Sequence, residues 1–207
     1  MKTTGFRTRS MLRSSATAVT LGIVAITAIP ANAQTAPTPS RTPAAGPDRH
    51  CVVHPDNAQT CYSSFRRAMA DATGGQITNA PDSGRAAATD AALDARINDL
   101  AKHASKAGTA ARRPVVVGIE WSNRDARGSS WIIEFFDRCR RGYYFVRNLG
   151  GNWWNDRISS YKSYAGCRVN HYENQNARGS STGWHYGYVS YIGNAMNDQT
   201  SSVMWSS

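Results

Sequence analysis

An octapeptide occurs in two closely similar copies in this 207-residue chain, agreeing at six of eight positions: Asn123-Arg124-Asp125-Ala126-Arg127-Gly128-Ser129-Ser130 returns 51 residues later as Asn174-Gln175-Asn176-Ala177-Arg178-Gly179-Ser180-Ser181. A hexapeptide follows each copy, Asn155-Asp156-Arg157-Ile158-Ser159-Ser160 and Asn197-Asp198-Gln199-Thr200-Ser201-Ser202, offset by 42. Self-similarity in this order implies one supersecondary unit used twice. Each unit is too short to hide its own apolar face, so the two pack around a shared core. All six Trp, eight of nine Tyr and three of five Phe fall after residue 114, which places that core in the repeat. Residues 115–121, 131–136, 143–146, 167–172 and 186–192 are short β-branched or aromatic runs between Gly, Asn and Ser clusters, predicting an all-β sandwich over 114–207. Alternation within Val115-Val116-Val117-Gly118-Ile119-Glu120-Trp121 is irregular, which leaves the register open.

Upstream, residues 1–33 combine a basic start (Lys2, Arg7, Arg9, Arg13), an apolar stretch over 16–29 and a small-residue Ala31-Asn32-Ala33 end, the pattern of a cleaved secretory signal peptide. The apolar run is too short and too interrupted for the roughly 20 residues a membrane anchor needs. Four of the charges behind the formal +10 sit in this leader, so the mature chain is an ordinary basic secreted protein. Residues 34–50 carry Pro37, Pro39, Pro43 and Pro47 among Thr, Ala and Ser, and read as an extended linker.

Residues 51–113 read as a small helical segment. Ser63 or Ser64 can cap a run through Phe65, Met69 and Ala72 that stops at Gly74-Gly75, and Thr89 or Asp90 can cap a second. In the second, Leu93, Ile97, Leu100 and Ala104 share one face of a helix ending near Gly108. With the aromatic surface elsewhere, this segment is expected to be dispensable for folding of 114–207. Cys51, Cys61, Cys139 and Cys167 are an even set bound for an oxidising compartment, where disulfides are the default. Of three possible pairings, joining neighbours (Cys51 with Cys61, Cys139 with Cys167) keeps each bridge within one segment. Zinc finds only His171 near Cys167.

Trp121 with Gly128 and Ser130, and Tyr172 with Gly179 and Ser181, each followed by the Asn-Asp-x-x-Ser-Ser hexapeptide, resemble the two Greek-key motifs of the βγ-crystallins. The likeness covers 115–207 and implies a mainly β, double Greek-key sandwich preceded by the helical segment. Both copies depart where the family prefers Tyr or Phe, since Ala126 and Ala177 stand at the fifth residue after the aromatic. The segment CYSSFRRAMADATGGQITNAP also resembles leader regions of secreted bacterial proteins carrying such a domain.

Calcium takes six to eight oxygen ligands from carboxylates, carbonyls, hydroxyls and water, and an Asn-Asp-x-x-Ser-Ser loop offers those atoms. The resemblance implies two calcium ions, each held by groups from both loops: Asn155, Asp156, the Arg157 carbonyl and Ser159, with Asn197, Asp198, the Gln199 carbonyl and Ser201, beside carbonyls near Ser122 and Glu173. Arg157 places positive charge next to one site, and one carboxylate per loop implies weak, extracellular-range binding of roughly 10⁻⁴ to 10⁻⁵ M.

Other chemistry is sparser. His171, His185 and Glu173 could form an acid/base set, but no nucleophile accompanies them, so the chain is not read as an enzyme. His54 and His103 read as exposed. Arg138, Arg140, Arg141 and Arg147 among Tyr143, Tyr144 and Phe145 could bind an anionic polymer, but ten basic against seven acidic residues over 114–207 favour a solvated hairpin and no nucleic-acid partner. There is no P-loop, dinucleotide fingerprint or zinc-protease helix motif. The expected protein is a secreted, monomeric calcium-binding module that leaves the membrane once its leader is cleaved. Fold analogy adds two rivals: an inhibitor of extracellular metallopeptidases, and a killer-toxin-like antimicrobial protein.

Overall fold

Residues 47–104, 113–139 and 144–207 are described in the computed structural model. The expected signal peptide over 1–33, most of the expected linker, and Gly108, Arg140, Arg141 and Tyr143 lie outside the described residues.

The repeat folds as two Greek keys that exchange a strand. In the first half, β3 (Val115–Asn123) and β4 (Arg127–Phe135) are joined by a 3₁₀ turn at Arg124–Ala126; β5 (Tyr144–Asn148) leaves for the opposite sheet, and β6 (Ser160–Ser163) returns beside β3. In the second half, β7 (Arg168–Asn174) and β8 (Arg178–Ser181) pair, β9 (Tyr188–Val189) crosses, and β10 (Ser202–Ser206) returns beside β7. One sheet runs β2-β1-β4-β3-β6-β9 and the other β5-β10-β7-β8. Each half lends its third strand to the other's sheet, so neither completes a sheet alone.

The octapeptide repeat is a conformational repeat. Asp125, Ala126 and Gly128 have φ of +59°, +55° and +74°, and Asn176, Ala177 and Gly179 have +60°, +54° and +80°. This folded hairpin is held by the last serine of the hexapeptide. Ser160 Oγ accepts from Ala126 N at 3.1 Å and donates to Asn123 O at 2.7 Å; Ser202 Oγ accepts from Ala177 N at 3.1 Å and donates to Asn174 O at 2.6 Å. Both serines are fully buried. Replacing either with Ala leaves a buried N–H and a carbonyl unsatisfied, so Ser160→Ala and Ser202→Ala should each cost about 1–3 kcal/mol in urea denaturation. A change below a few tenths for both would contradict this role.

The N-terminal segment is a third layer rather than an appendage. β1 (His50–Val53) pairs parallel to β4, and β2 (Gln59–Tyr62) pairs with β1 at the edge, so two strands extend the first sheet. Three helices follow. α1 (Phe65–Ala72) starts where Ser64 Oγ accepts from Arg67 N and stops before Gly74 and Gly75 at φ of +57° and +80°. α2 (Gly84–Ala88) was not foreseen; it docks closely enough that a Cβ on Gly84 would lie 2.5 Å from the Ala126 carbonyl oxygen and 2.6 Å from Trp121 Nε1. α3 (Ala91–Ala104) begins where Asp90 Oδ1 accepts from Ala92 N and Leu93 N.

Two cores result. Trp131, Trp154, Tyr161, Val203 and Trp205 fill the space between the sheets. Phe65, Met69, Leu93 and Ile97 cover the outer face of the first sheet at Val116, Ile119, Trp121 and Ile132. Directed bonds fix this docking: Lys162 Nζ donates to Asp94 Oδ2 and to Ala88 O, both at 2.6 Å, Tyr164 OH donates to Asp94 Oδ1 at 3.1 Å, and Ala165 N to Asn98 Oδ1 at 2.9 Å. This packing weighs against the expected dispensability of the helical segment, because the segment covers apolar surface of the aromatic-rich half. Burial on both faces also explains the irregular alternation of β3, since a strand buried on both sides reads as a continuous apolar run. A bulge between Val116 and Gly118 adds to it.

The cysteines join as neighbours, Cys51 to Cys61 across the β1–β2 pair and Cys139 to Cys167. With Cys167 oxidised, no cysteine thiolate stands beside His171 for zinc.

Candidate metal centre

The two hexapeptides lie side by side, related by the pseudo-two-fold symmetry of the Greek keys. Asp156 N donates to Thr200 O at 3.0 Å, and Asp198 N to Ile158 O at 3.4 Å, so each loop reaches the equivalent carbonyl of the other. Ser159 N bonds Trp121 O and Ser201 N bonds Tyr172 O, both at 2.9 Å. Asp156 and Asp198 both take φ of +56°, a left-handed conformation that Asp tolerates better than bulkier residues. Beside each carboxylate the preceding amide repeats the same contact: Asn155 Nδ2 donates to Asp156 Oδ2 at 2.6 Å, and Asn197 Nδ2 to Asp198 Oδ2 at 2.8 Å.

Two groupings of oxygen emerge. Ser201 Oγ lies 3.4 Å from Asp156 Oδ1, bringing a carboxylate of one loop to a hydroxyl of the other. Ser159 Oγ donates to the Ser122 carbonyl at 3.0 Å. Arg157 does not stand free in the loop, because its guanidinium lies over the Trp153 ring at 4.7 Å. Glu173 is exposed, and its Oε2 accepts from Ser180 N at 3.2 Å. Gln199 is exposed at the third position of its loop, as Arg157 is in the other. Among the described residues no group of three or more His, Cys, Asp or Glu is arranged to hold a metal ion. An oxygen set of carboxylate, hydroxyl and carbonyl suits a hard cation and not a transition metal.

The other candidates do not assemble. His171 turns inward: its Nε2 lies 2.9 Å from Glu120 Oε2, with side chains 0% and 1% exposed. Glu173 points to solvent, and His185 Nε2 bonds Thr182 O, so His171, His185 and Glu173 form no acid/base set. Glu120 and His171 are equivalent positions of the two Greek keys, each one residue before the motif aromatic, and they meet between the sheets with Tyr161 at 4.3 Å from the imidazole. Burial, then Glu120, push the Tyr161 phenol well up, so it stays neutral. The spacing carried a signal that was missed: Glu120 and His171 stand at the offset of the octapeptides. Of the basic cluster, Arg138 is exposed, whereas Arg147 is partly buried, bonds Asn57 Oδ1 and has its pKa lowered by burial. His103 is exposed as expected, but His54 is not: it is half-buried against Glu134.

No family model matches this sequence, and no curated protein does. Among solved structures, a betagamma-crystallin domain from Clostridium beijerinckii is similar at 21% identity over 44% of this chain and 97% of that one, with a TM-score of 0.35. A betagamma-crystallin domain from Flavobacterium johnsoniae is similar at 23% identity over 43% of this chain and 92% of its own, TM-score 0.33. The N-terminal domain of Protein S is similar at 22% identity over 44% and 96%, TM-score 0.34. Strand order carries the assignment: with a folded hairpin and a serine lock in each half and a strand exchanged between the halves, residues 115–207 form a βγ-crystallin-like double Greek key.

Proposed function

We propose that this protein is a secreted calcium-binding module whose double Greek key is stabilised by two calcium ions. The observation that carries the reading is the mutual approach of the two hexapeptide loops, with Ser201 Oγ 3.4 Å from Asp156 Oδ1 and each Asp N–H bonded to the other loop's backbone. Asp156 with Ser201, and Asp198 with Ser159 and the Ser122 carbonyl, would hold the ions; the Arg157, Gln199 and Glu173 carbonyls complete the oxygen supply. A bound divalent cation supplies positive charge between the loops, offsetting the two carboxylates and tying one Greek key to the other. The stacking of Arg157 on Trp153 draws its charge toward the ring and relieves the conflict its sequence position suggests.

Calcium that binds only the folded chain adds about 2.7 kcal/mol at a hundredfold excess over Kd. Melting in millimolar calcium should therefore occur several degrees above melting in chelator. Asp156→Asn combined with Asp198→Asn, which removes both charges but keeps residues that tolerate the left-handed backbone, should remove most of that difference while leaving the chelator curve nearly unchanged. Coincident wild-type curves together with no heat of binding would sink the proposal. Secretion rests on the leader pattern and the two disulfides. Among the described residues no helix is long and apolar enough to cross a membrane. Protein recovered from the medium should begin at Gln34, and retention of residues 1–33 would contradict this.

A further inference from the structure

A cavity of about 850 Å³ opens between the helical layer and the outer side of β3 and β4, away from the metal loops. One wall is apolar, made by Ile97, Leu100 and Ala104 from α3 and Val115 and Val116 from β3, while Thr73, Gln76, His103 and Arg113 make the rest of the lining more polar. One end is different. There Glu134 of β4, only 4% exposed, lines the cavity beside His54 from the β1–β2 turn and Asp71 from α1. A carboxylate among hydrocarbon walls is costly unless something compensates it. His54 Nδ1, at 2.8 Å from Glu134 Oε2, compensates in part.

The balance of donors and acceptors is uneven. His54 is shared, because its Nε2 also faces Asp71 Oδ2 at 3.7 Å and Thr60 Oγ1 at 3.2 Å. Asp71 Oδ2 is buried without a hydrogen-bond partner. Tyr62 also bonds Asp71, yet one imidazole and one phenol do not saturate two carboxylates, and an acceptor-rich end to a partly apolar cavity selects a ligand with a cationic donor and a hydrocarbon body. A metal ion fits poorly, since no group of His, Cys, Asp or Glu arranged to hold one forms among the described residues.

We infer that this cavity binds a small organic cation, an alkylammonium or similar amine, whose N–H groups donate to Glu134 and Asp71 while its chain lies along Ile97, Leu100 and Val115. Other charges near this end are Asp56 in the β1–β2 turn, and His103 and Arg113 on the cavity lining, both exposed and screened by water. Burial raises the Glu134 carboxyl to about 7 against the opposing pull of His54, so near neutral pH it is partly protonated. An arriving ammonium favours the carboxylate, and the carboxyl proton leaves to buffer. Binding is thus coupled to proton release, a signature that simple hydrophobic adsorption lacks.

Calorimetric titration of the mature protein with octylammonium chloride, octan-1-ol and sodium octanoate tests this. Octylammonium should bind one-to-one and release a fraction of a proton at pH 7, read from buffers of different ionisation enthalpy, while octanoate shows no saturable heat and octanol binds more weakly. Glu134→Gln, which keeps shape but not charge, should weaken octylammonium at least about tenfold, the loss of one charge-assisted hydrogen bond, and abolish proton release. Ala104→Trp, which narrows the cavity at the end of α3 and leaves Glu134 unchanged, should weaken octylammonium binding, and so keeps the test decisive if the glutamine variant folds poorly. No saturable octylammonium binding, equal affinity for octanol, or undiminished affinity in Ala104→Trp would overturn the inference.

Discussion

A chain shortened to begin at Pro114 is expected not to fold cooperatively, with or without calcium, although it keeps both Greek keys. Removing residues before 114 exposes Val116, Ile119, Trp121, Ile132 and Tyr164, which pack under the helical layer. At about 1.5–3 kcal/mol for each large apolar side chain, that loss rivals the roughly 5–15 kcal/mol by which a whole domain is stable. Two further costs add to it. Lys162, a buried cation, loses both Asp94 and the Ala88 carbonyl, and β4 loses the strand paired to it and becomes a bare edge. Circular dichroism and one-dimensional NMR of the shortened chain, expressed into an oxidising compartment, decide the matter. A sharp melting transition and dispersed amide signals would show that the third layer is an accessory.

The second large effect lies on the pseudo-two-fold axis. Glu120→Ala or His171→Ala should each lower stability by about 3–5 kcal/mol, because each leaves the other member buried without its partner. Replacing both by apolar residues of similar size should cost much less than either single change, since the desolvation of the pair disappears with it. Exchanging the two, Glu120→His with His171→Glu, places the same groups at symmetry-related positions and should restore more stability than either half of the exchange. Urea denaturation of the four proteins as a double-mutant cycle measures the coupling. A coupling near zero would mean that the pair contributes nothing specific to the match of the two Greek keys.

Much of the fold was legible because the informative residues are local. The positive φ values at Asp125, Ala126 and Gly128 and at their equivalents belong to eight adjacent residues, so a repeated octapeptide reports a repeated hairpin directly. Ser64, Asp90 and Gly74 punctuate α1 and α3 through bonds spanning at most three residues, which is why their caps could be read. The short strands β6, β8 and β10 were not foreseen. SYKS and RGSS carry little strand propensity of their own, and SVMWS lies at the chain's end beyond the last expected strand; pairing with neighbours makes them strands.

The candidate site divides along the same line. The hexapeptides advertised oxygen ligands in pairs, and the serine at the fifth position of one loop does meet the aspartate of the other. What the sixth position does, locking the hairpin of its own Greek key, required knowing which backbone would come near Ser160 and Ser202. His54 illustrates the limit. It reads as exposed, and only the parallel pairing of β1 with β4 brings it to a buried glutamate 80 residues away.

The amino-acid sequence by itself determined the twofold repeat and the starts of α1 and α3, and it favoured the disulfide arrangement of neighbouring cysteines, because each depends on patterns and bonds within a short stretch of chain. The tertiary structure alone decided that the first sheet is covered on both faces, that Glu120 meets His171, and that Glu134 ends a partly apolar cavity. Those outcomes depend on which surfaces exclude water from each other and which buried charges must then be balanced, and that is settled by distance in space rather than along the chain.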